Sequence, residues 1–349
     1  MARSILSKAV QVVKSALAVP QSAAMSTAPR PRVFITQKVP HGGPEMLAPH
    51  CEISQYDSED PIPRAELMKQ VAGKDALFCL LTDKVDKELL DAAGPQLKVI
   101  GTMSVGFDHV DVKECVKRNI PVGYTPEVLT SAVAELTIAL LLATSRRLKE
   151  AMEAVKSGAW GTWKPLWLLG LGLEGSTVGI AGMGRIGVAV AERLRPFGVA
   201  KLLYSDVQAS PHAAGVGAEF VPLDDMLKNS DFVLACCALT PETKGMFNAT
   251  VFKKMKKTAV FVNTSRGGVV NQDDLYEALK CGEIGAAGLD VTVPEPLPTD
   301  SPLLDLPNCI VLPHIASATE DTRNNMSKLT ASNILAGLKN EPLPKQVPS

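Results

Sequence analysis

Several function classes are excluded by what this sequence does not contain. It has 7 cysteines in 349 residues (Cys51, Cys79, Cys115, Cys236, Cys237, Cys281 and Cys309), and none forms a C-x-x-C pair. An odd, irregular set reads as reduced thiols and not as a disulfide framework. The 5 histidines are dispersed, with no H-E-x-x-H motif and no His/Cys cluster, so no metal site is expected. The longest apolar runs, at 138–143 and 166–171, fall far short of the roughly 20 residues that span a bilayer. A net charge of −1 provides no global field toward nucleic acid or an anionic membrane. Aromatic residues are scarce at 5%, and none interleave with a basic stripe. Neither class of partner is therefore expected.

A local absence marks the amino terminus: residues 1–44 contain no Asp or Glu. Arg3, Lys8 and Lys14 punctuate Ile5, Leu6, Val10, Val13 and Leu17 on what would be one face of a short helix, and Pro20 ends the pattern. A basic, acid-free amphipathic start over 1–24 reads as a mitochondrial presequence, with a disordered tail as the plainer alternative. Met25 offers a second start lacking that segment, so the expected compartments are mitochondrial and/or cytoplasmic. The proline-rich stretch 28–32 reads as the linker into the folded chain.

What is present suits two domains: the length exceeds one ordinary core, and 46% of residues are hydrophobic. Apolar runs at 32–35, 51–56, 76–80 and 98–101 read as strands, with helices opening after Pro63 and over 86–93. Alternation of this kind predicts an α/β fold of doubly wound parallel sheets. A long Ala/Leu-rich pattern over 128–147 predicts a helix crossing between the domains.

The strongest motif follows the strand predicted at 176–181. Gly182-Met183-Gly184-Arg185-Ile186-Gly187 is a G-x-G-x-x-G fingerprint between that strand and a helix predicted over 188–197. Gly182 permits the tight turn, Gly184 lets backbone approach a pyrophosphate, and Gly187 allows close helix–strand packing. The phosphates would sit at the helix N-terminus, with Arg185 adding a charged contact. The next strand, 201–204, leads to Ser205 and Asp206, placed where an acidic group accepts from the adenosine ribose 2′-hydroxyl. Asp206 would repel a 2′-phosphate, so the local residues favour NAD(H). Further strands are expected at 231–239, 259–263, 286–291 and 309–312, with a helix over 273–280 capped by Asn271.

Ligands of a doubly wound sheet bind beyond the carboxyl ends of its strands. Ala238, Thr240, Pro241, Thr264 and Asp290 lie at or just after the expected strand ends and are assigned to the coenzyme. Arg266, Glu295 and His314 fall there too, and their chemistry is complementary. An imidazole, with an unperturbed pKa of about 6.5, is a natural proton donor for carbonyl reduction. Glu295 would stabilise the imidazolium and fix the ring. Arg266 would hold a carboxylate and polarise a neighbouring carbonyl through its fork of donors. Singly, each has a bland alternative: a Pro-His turn, a surface ion pair, a loop charge. Their common placement makes them one candidate site.

The runs Asn263-Thr264-Ser265-Arg266-Gly267-Gly268, Gly288-Leu289-Asp290-Val291 with Glu295-Pro296, and Pro313-His314-Ile315 resemble the D-isomer-specific 2-hydroxyacid dehydrogenases. The resemblance covers nearly all of 33–340. Residues 103–106, 123–126 and 160–167 extend it toward the animal members that reduce glyoxylate and hydroxypyruvate. It implies a nucleotide domain over 128–313 inserted into a flavodoxin-like substrate domain, 32–127 plus 314–340, with a cleft between them. It implies a homodimer that reduces hydroxypyruvate to D-glycerate and glyoxylate to glycolate. Val105 and Gly106 would bind the substrate carboxylate through backbone, Ser317 would join the substrate site, and Asp290 would lie near the nicotinamide. Trp163 would reach the partner subunit's site and shape preference for hydroxypyruvate. The resemblance also implies NADP(H), through an arginine after the second nucleotide strand, where this chain has Asp206-Val207. Two alternatives stay open. A sibling such as a phosphoglycerate dehydrogenase would be expected to add a regulatory domain, for which the last helix (320–338) leaves no room. An NAD(H)-binding corepressor-like protein of the same fold is the other.

Overall fold

A computed structural model describes residues 29–348. From residue 31 to 348 the chain forms one compact unit built on two parallel sheets. The first sheet contains β1 (Arg32–Ile35), β2 (Glu52–Gln55), β3 (Ala76–Cys79), β4 (Val99–Thr102) and β5 (Val122–Gly123), in the order β2-β1-β3-β4-β5. The second contains β6 (Thr177–Ala181), β7 (Lys201–Ser205), β8 (Ala218–Phe220), β9 (Phe232–Ala235), β10 (Val260–Asn263), β11 (Ala286–Leu289) and β12 (Cys309–Val311), in the order β12-β11-β10-β9-β6-β7-β8. The order turns about β6, which pairs with β7 on one side and β9 on the other. That is the switch point at which a crevice opens beyond the strand ends.

The intervening helices are α1 (Gly43–Leu47), α2 (Arg64–Gln70), α3 (Lys87–Ala93), α4 (Val112–Lys117), α5 (Thr130–Ser145), α6 (Leu148–Lys156), α7 (Arg185–Leu194), α8 (Leu223–Asn229), α9 (Ala249–Phe252), α10 (Gln272–Lys280) and α11 (Glu320–Leu338). Parallel strands covered on both faces read as continuous apolar runs; β3, β9 and β10 are accordingly buried at every residue. Helix α5 leaves the first sheet and packs on α7, β10 and β11 of the second. The chain then returns. Met326, Ala331 and Ile334 of α11 join Val33, Ile35, Phe78 and Val99 in one core cluster. Close packing there needs small residues: a Cβ on Gly101 would overlap Thr330 and Ile334, and one on Gly337 would overlap Val99. Among the described residues no helix is long and apolar enough to cross a membrane.

Three expectations about elements are corrected. The helix expected at 188–197 starts at Arg185, because extended Gly184 is its N-cap; it gives way after Leu194 to a 3-10 turn over Arg195–Phe197, closed by left-handed Gly198. The strand expected at 231–239 spans only Phe232–Ala235, since beyond Ala235 neither neighbouring strand continues the ladder. The strand expected at 286–291 stops at Leu289, freeing Asp290 and Val291 for the site. The presequence reading of 1–24 and the alternative start at Met25 lie outside the described residues.

Candidate active site

Strand ends from both sheets converge on one cleft of about 340 Å³. From the first sheet, the segment after β4 contributes Val105, Gly106 and Asp108. From the second, the segment after β10 contributes Thr264, Ser265 and Arg266, and the segment after β12 contributes His314 and Ser317.

The turn after β10 is built around buried Asn263. Its Oδ1 accepts from the Ser265 N–H (3.0 Å) and Ser265 Oγ (2.8 Å), and its Nδ2 donates to the Arg266 carbonyl (2.9 Å). Gly267 then runs against the backbone of Thr292 so closely that a Cβ would overlap its carbonyl. The Arg266 and Glu295 loops are thereby pressed together. Arg266 Nε donates to Asp108 Oδ1 at 3.1 Å and Nη1 to the Ser265 carbonyl at 3.0 Å. These two contacts leave Nη2 against Gly106, where any Cβ would overlap it. Burial works to raise the Asp108 pKa, but the Arg266 charge and hydrogen bond hold the carboxyl below its ordinary value.

The His314 loop hangs from the end of β11. Asp290 is 0% exposed; its backbone carbonyl accepts from the His314 N–H (2.9 Å), and its carboxylate accepts from the N–H groups of Ile315 and Ala316 (each 2.8 Å). His314 itself adopts φ 55°, a left-handed conformation that a β-carbon disfavours. Its Nδ1 lies 2.8 Å from Glu295 Oε2, while Glu295 Oε1 accepts from the Thr292 N–H at 3.0 Å. Burial tends to raise the Glu295 pKa, but the hydrogen bond and charge of His314, the Thr292 N–H and Arg266 outweigh it, so the carboxyl sits below its ordinary value. A carboxylate on Nδ1 leaves Nε2 as the nitrogen available to a reactant.

The nucleotide fingerprint has the required openings. Gly182 adopts φ 96° in its turn, and a Cβ on Gly187 would overlap the Gly182 carbonyl. A Cβ on Gly184 would meet nothing, so backbone there is open to a ligand. Helix α7 has no side-chain cap, which leaves first-turn N–H groups for an anion. Met183 and Ile186 flank this opening, the latter also lining the cleft. These features fit a dinucleotide pyrophosphate.

Some expected contacts are arranged differently. Arg185 pairs with Glu127 at 3.4 Å, across to the segment that follows β5. Asp206 Oδ2 accepts from the Met183 N–H (2.8 Å) and Oδ1 from the Val207 N–H (2.7 Å), so the residue also clamps the glycine turn. Ser205 pairs with Ala181 at the end of β7, and its carbonyl accepts from Gly182 N–H. Ala238 lines the cleft, whereas Thr240 and Pro241 are exposed beyond it, with Thr240 N–H donating to Thr243 Oγ1. Thr264 Oγ1 lies 2.7 Å from Thr137 Oγ1 of α5. Trp163 is 82% exposed and is not among the residues that line this chain's own cleft. Asp108, Asn263 and Arg323 were not singled out from sequence as site residues. Only an acidic residue two positions after Gly106 hinted at the first.

The family described as D-isomer specific 2-hydroxyacid dehydrogenase, NAD binding domain, matches residues 138–316. The chain belongs to that family. It is 58% identical over 319 residues to the human glyoxylate reductase/hydroxypyruvate reductase, covering 90% of this chain and 97% of that one. It is 47% identical to a glyoxylate reductase of Thermofilum pendens, covering 91% and 94%. Among solved structures, the NADPH-dependent glyoxylate/hydroxypyruvate reductase of Sinorhizobium meliloti, in complex with NADP and malonate, superposes with a TM-score of 0.78 at 33% identity, covering 91% of this chain and 97% of that one. As a 2-hydroxyacid dehydrogenase, the protein is an oxidoreductase with a nicotinamide-dinucleotide domain.

Proposed function

We propose that this protein reduces hydroxypyruvate to D-glycerate and glyoxylate to glycolate with NAD(P)H. The observation that carries the reading is the His314–Glu295 pair facing Arg266 and Gly106 in one cleft. Backbone at Val105 and Gly106, together with Arg266 Nη2, would hold the substrate carboxylate. Arg266 would also polarise the carbonyl. His314 Nε2 would deliver the proton to the carbonyl oxygen, and ionised Glu295 would stabilise the imidazolium before that transfer. The fingerprint 182–187 would hold the coenzyme through its pyrophosphate, with Asp290 toward the nicotinamide end, and the nicotinamide would supply the hydride. Ser317 completes the substrate wall. In this reading the substrate domain is 32–127 plus 314–340, the nucleotide domain is 128–313, and closure of the cleft excludes water.

Coenzyme choice follows from Asp206. Each of its carboxylate oxygens accepts one N–H and retains capacity for a ribose hydroxyl, while its charge opposes a 2′-phosphate. Val207, 97% exposed, offers no cation. Both features favour NADH, in contrast to the NADPH-dependent Sinorhizobium protein. A homodimer belongs to the same reading, with Trp163 entering the partner's site, as does a presequence at 1–24 directing the longer product to mitochondria and a shorter, cytoplasmic one from Met25.

The deciding experiment compares NADH and NADPH oxidation with hydroxypyruvate and with glyoxylate. Turnover with both keto acids and a higher kcat/KM for NADH are expected. Asp206→Ala should move the ratio toward NADPH. No turnover under conditions where coenzyme binds would sink the reductase reading, and an unchanged ratio would remove Asp206 from coenzyme selection. Imported and cytosolic products of the two starts would be told apart by fractionation; a single cytosolic product would end the presequence reading.

A further inference from the structure

The segment after β4 cannot be fixed by side-chain packing at Gly106, because Arg266 fills the space a Cβ would take. Its flanks are tied: Thr125 N–H donates to the Ser104 carbonyl and Val85 N–H to the His109 carbonyl, each at 2.9 Å. Between those ties, the N–H groups of Val105, Gly106 and Phe107 have no acceptor among the described residues. The Gly106 carbonyl does have a partner. Ser104 Oγ donates to it at 2.8 Å, Thr102 Oγ1 lies 2.8 Å from Ser104 Oγ, and His109 Nε2 lies 2.9 Å from Thr102 Oγ1. Thr102 and Ser104 are buried, so water does not compete for these contacts.

Proton counting gives this chain of contacts one direction. A carbonyl only accepts, so the Ser104 hydroxyl proton is committed to Gly106. The Thr102 proton then lies toward Ser104 Oγ. Turned toward His109 instead, it would leave two hydroxyl oxygens 2.8 Å apart with no hydrogen between them. The last contact therefore takes its hydrogen from His109 Nε2. Burial pushes the His109 pKa down to about 4, so the ring is neutral near pH 7 and Nδ1 is bare.

We propose that His109, Thr102 and Ser104 form a positioning relay that orients the Gly106–Phe107 peptide and so sets how tightly the loop binds the substrate carboxylate. The assignment rests on the reductase activity proposed above, in which backbone at Val105 and Gly106 receives that carboxylate. Glycine is the residue most free to rotate its peptide. Rotation here would take the carbonyl oxygen off Ser104 and exchange a donor for an acceptor beside an anion. The relay opposes that exchange by giving the oxygen a buried partner. Only Ser104 of the three lines the cleft, and its proton is already committed, so the relay acts through backbone.

The test measures kcat and KM for both keto acids in Ser104→Ala, His109→Leu, His109→Gln and the Ser104→Ala/His109→Leu double variant, with coenzyme Kd and thermal midpoint alongside. Ser104→Ala should raise KM for both acids about three- to ten-fold, the net worth of one hydrogen bond, while kcat and coenzyme Kd stay within about two-fold. His109→Leu should raise KM in the same direction. The double variant should be no worse than Ser104→Ala alone, because the relay is already cut. His109→Gln, whose amide can donate to Thr102, should recover most of the wild-type KM. If Ser104→Ala does not fold, Thr102→Val cuts the relay at its middle. Nitrogen NMR of histidine-labelled protein at neutral pH should show His109 as the Nε2–H tautomer. An Nδ1–H tautomer, losses that add in the double variant, or a fall in kcat with KM unchanged would overturn the assignment. Wild-type protein inactive on both acids would fail at an earlier step, refuting the reductase reading itself and the assignment with it.

Discussion

Gly106 shows how much a single missing carbon can set. Any side chain there would push Arg266 off the position that Asp108 and Ser265 define. Beside it, His109 is held by a different balance. Burial pushes its pKa down to about 4; Asp108 opposes that shift and Arg266 adds to it. Its Nε2 lies 2.9 Å from Thr102 Oγ1, which is 2.8 Å from Ser104 Oγ, which in turn donates to the Gly106 carbonyl at 2.8 Å. Neutral His109 thus sits at the base of the carboxylate loop. Because its folded pKa is below its unfolded one, the unfolded chain binds the proton first as pH falls, and stability is lost between about pH 6.5 and 4. From pH 7 to 5 this site should cost about 2 kcal/mol. Denaturant unfolding at both pH values should show that loss in wild type and a smaller one in His109→Gln; identical losses would refute the linkage.

At the scale of elements, the site depends on what happens just past each strand end. Asp290, immediately after β11, holds the His314 loop with one carbonyl and two carboxylate bonds, and so maintains a histidine at positive φ. Asp290→Asn would turn an NH2 toward one of two N–H donors. A kcat lower by about ten-fold or more is expected, together with a lower thermal midpoint, since one buried donor loses its acceptor. An unchanged kcat would mean that His314 is held by other contacts. Much of this scaffold was legible in advance. β6, β10 and β11 are buried parallel strands and read as apolar runs, and the fingerprint between β6 and α7 has an unmistakable spacing. β5 and β8 were not read, since two or three residues, partly exposed in β8, give no pattern. Asp108 and Arg323 escaped for another reason. Each acquires meaning only from Arg266 or the cleft wall, which the fold supplies from distant parts of the chain. The dual use of Asp206 escaped likewise, because the Met183 N–H it clamps is visible only once β7 lies beside the glycine turn.

For the whole molecule, the segment from α6 onward is the least complete surface. Met152, Val155, Trp160, Trp163, Leu166 and Leu169 are exposed there, and Trp163 and Leu166 reach 82%. Apolar exposure of this extent marks an interface, in keeping with the homodimer proposed above. Sedimentation should find a dimer. Leu166→Asp should weaken it, whereas Trp163→Ala should leave a dimer whose hydroxypyruvate kcat/KM falls about ten-fold, the scale of a lost aromatic contact. A wild-type monomer of full activity would refute both expectations.

The return of the chain through α11 also bears on how the protein is made. The face of the first sheet formed by Val33, Ile35, Phe78 and Val99 is covered by Ala331 and Ile334. On a ribosome those strands emerge first, and their cover follows only after the entire second sheet has been synthesised. The early half therefore waits with an apolar face unprotected, the condition in which nascent chains aggregate or recruit chaperones. The same crossover that brings His314 and Arg323 to the cleft makes the N-terminal lobe the last to close.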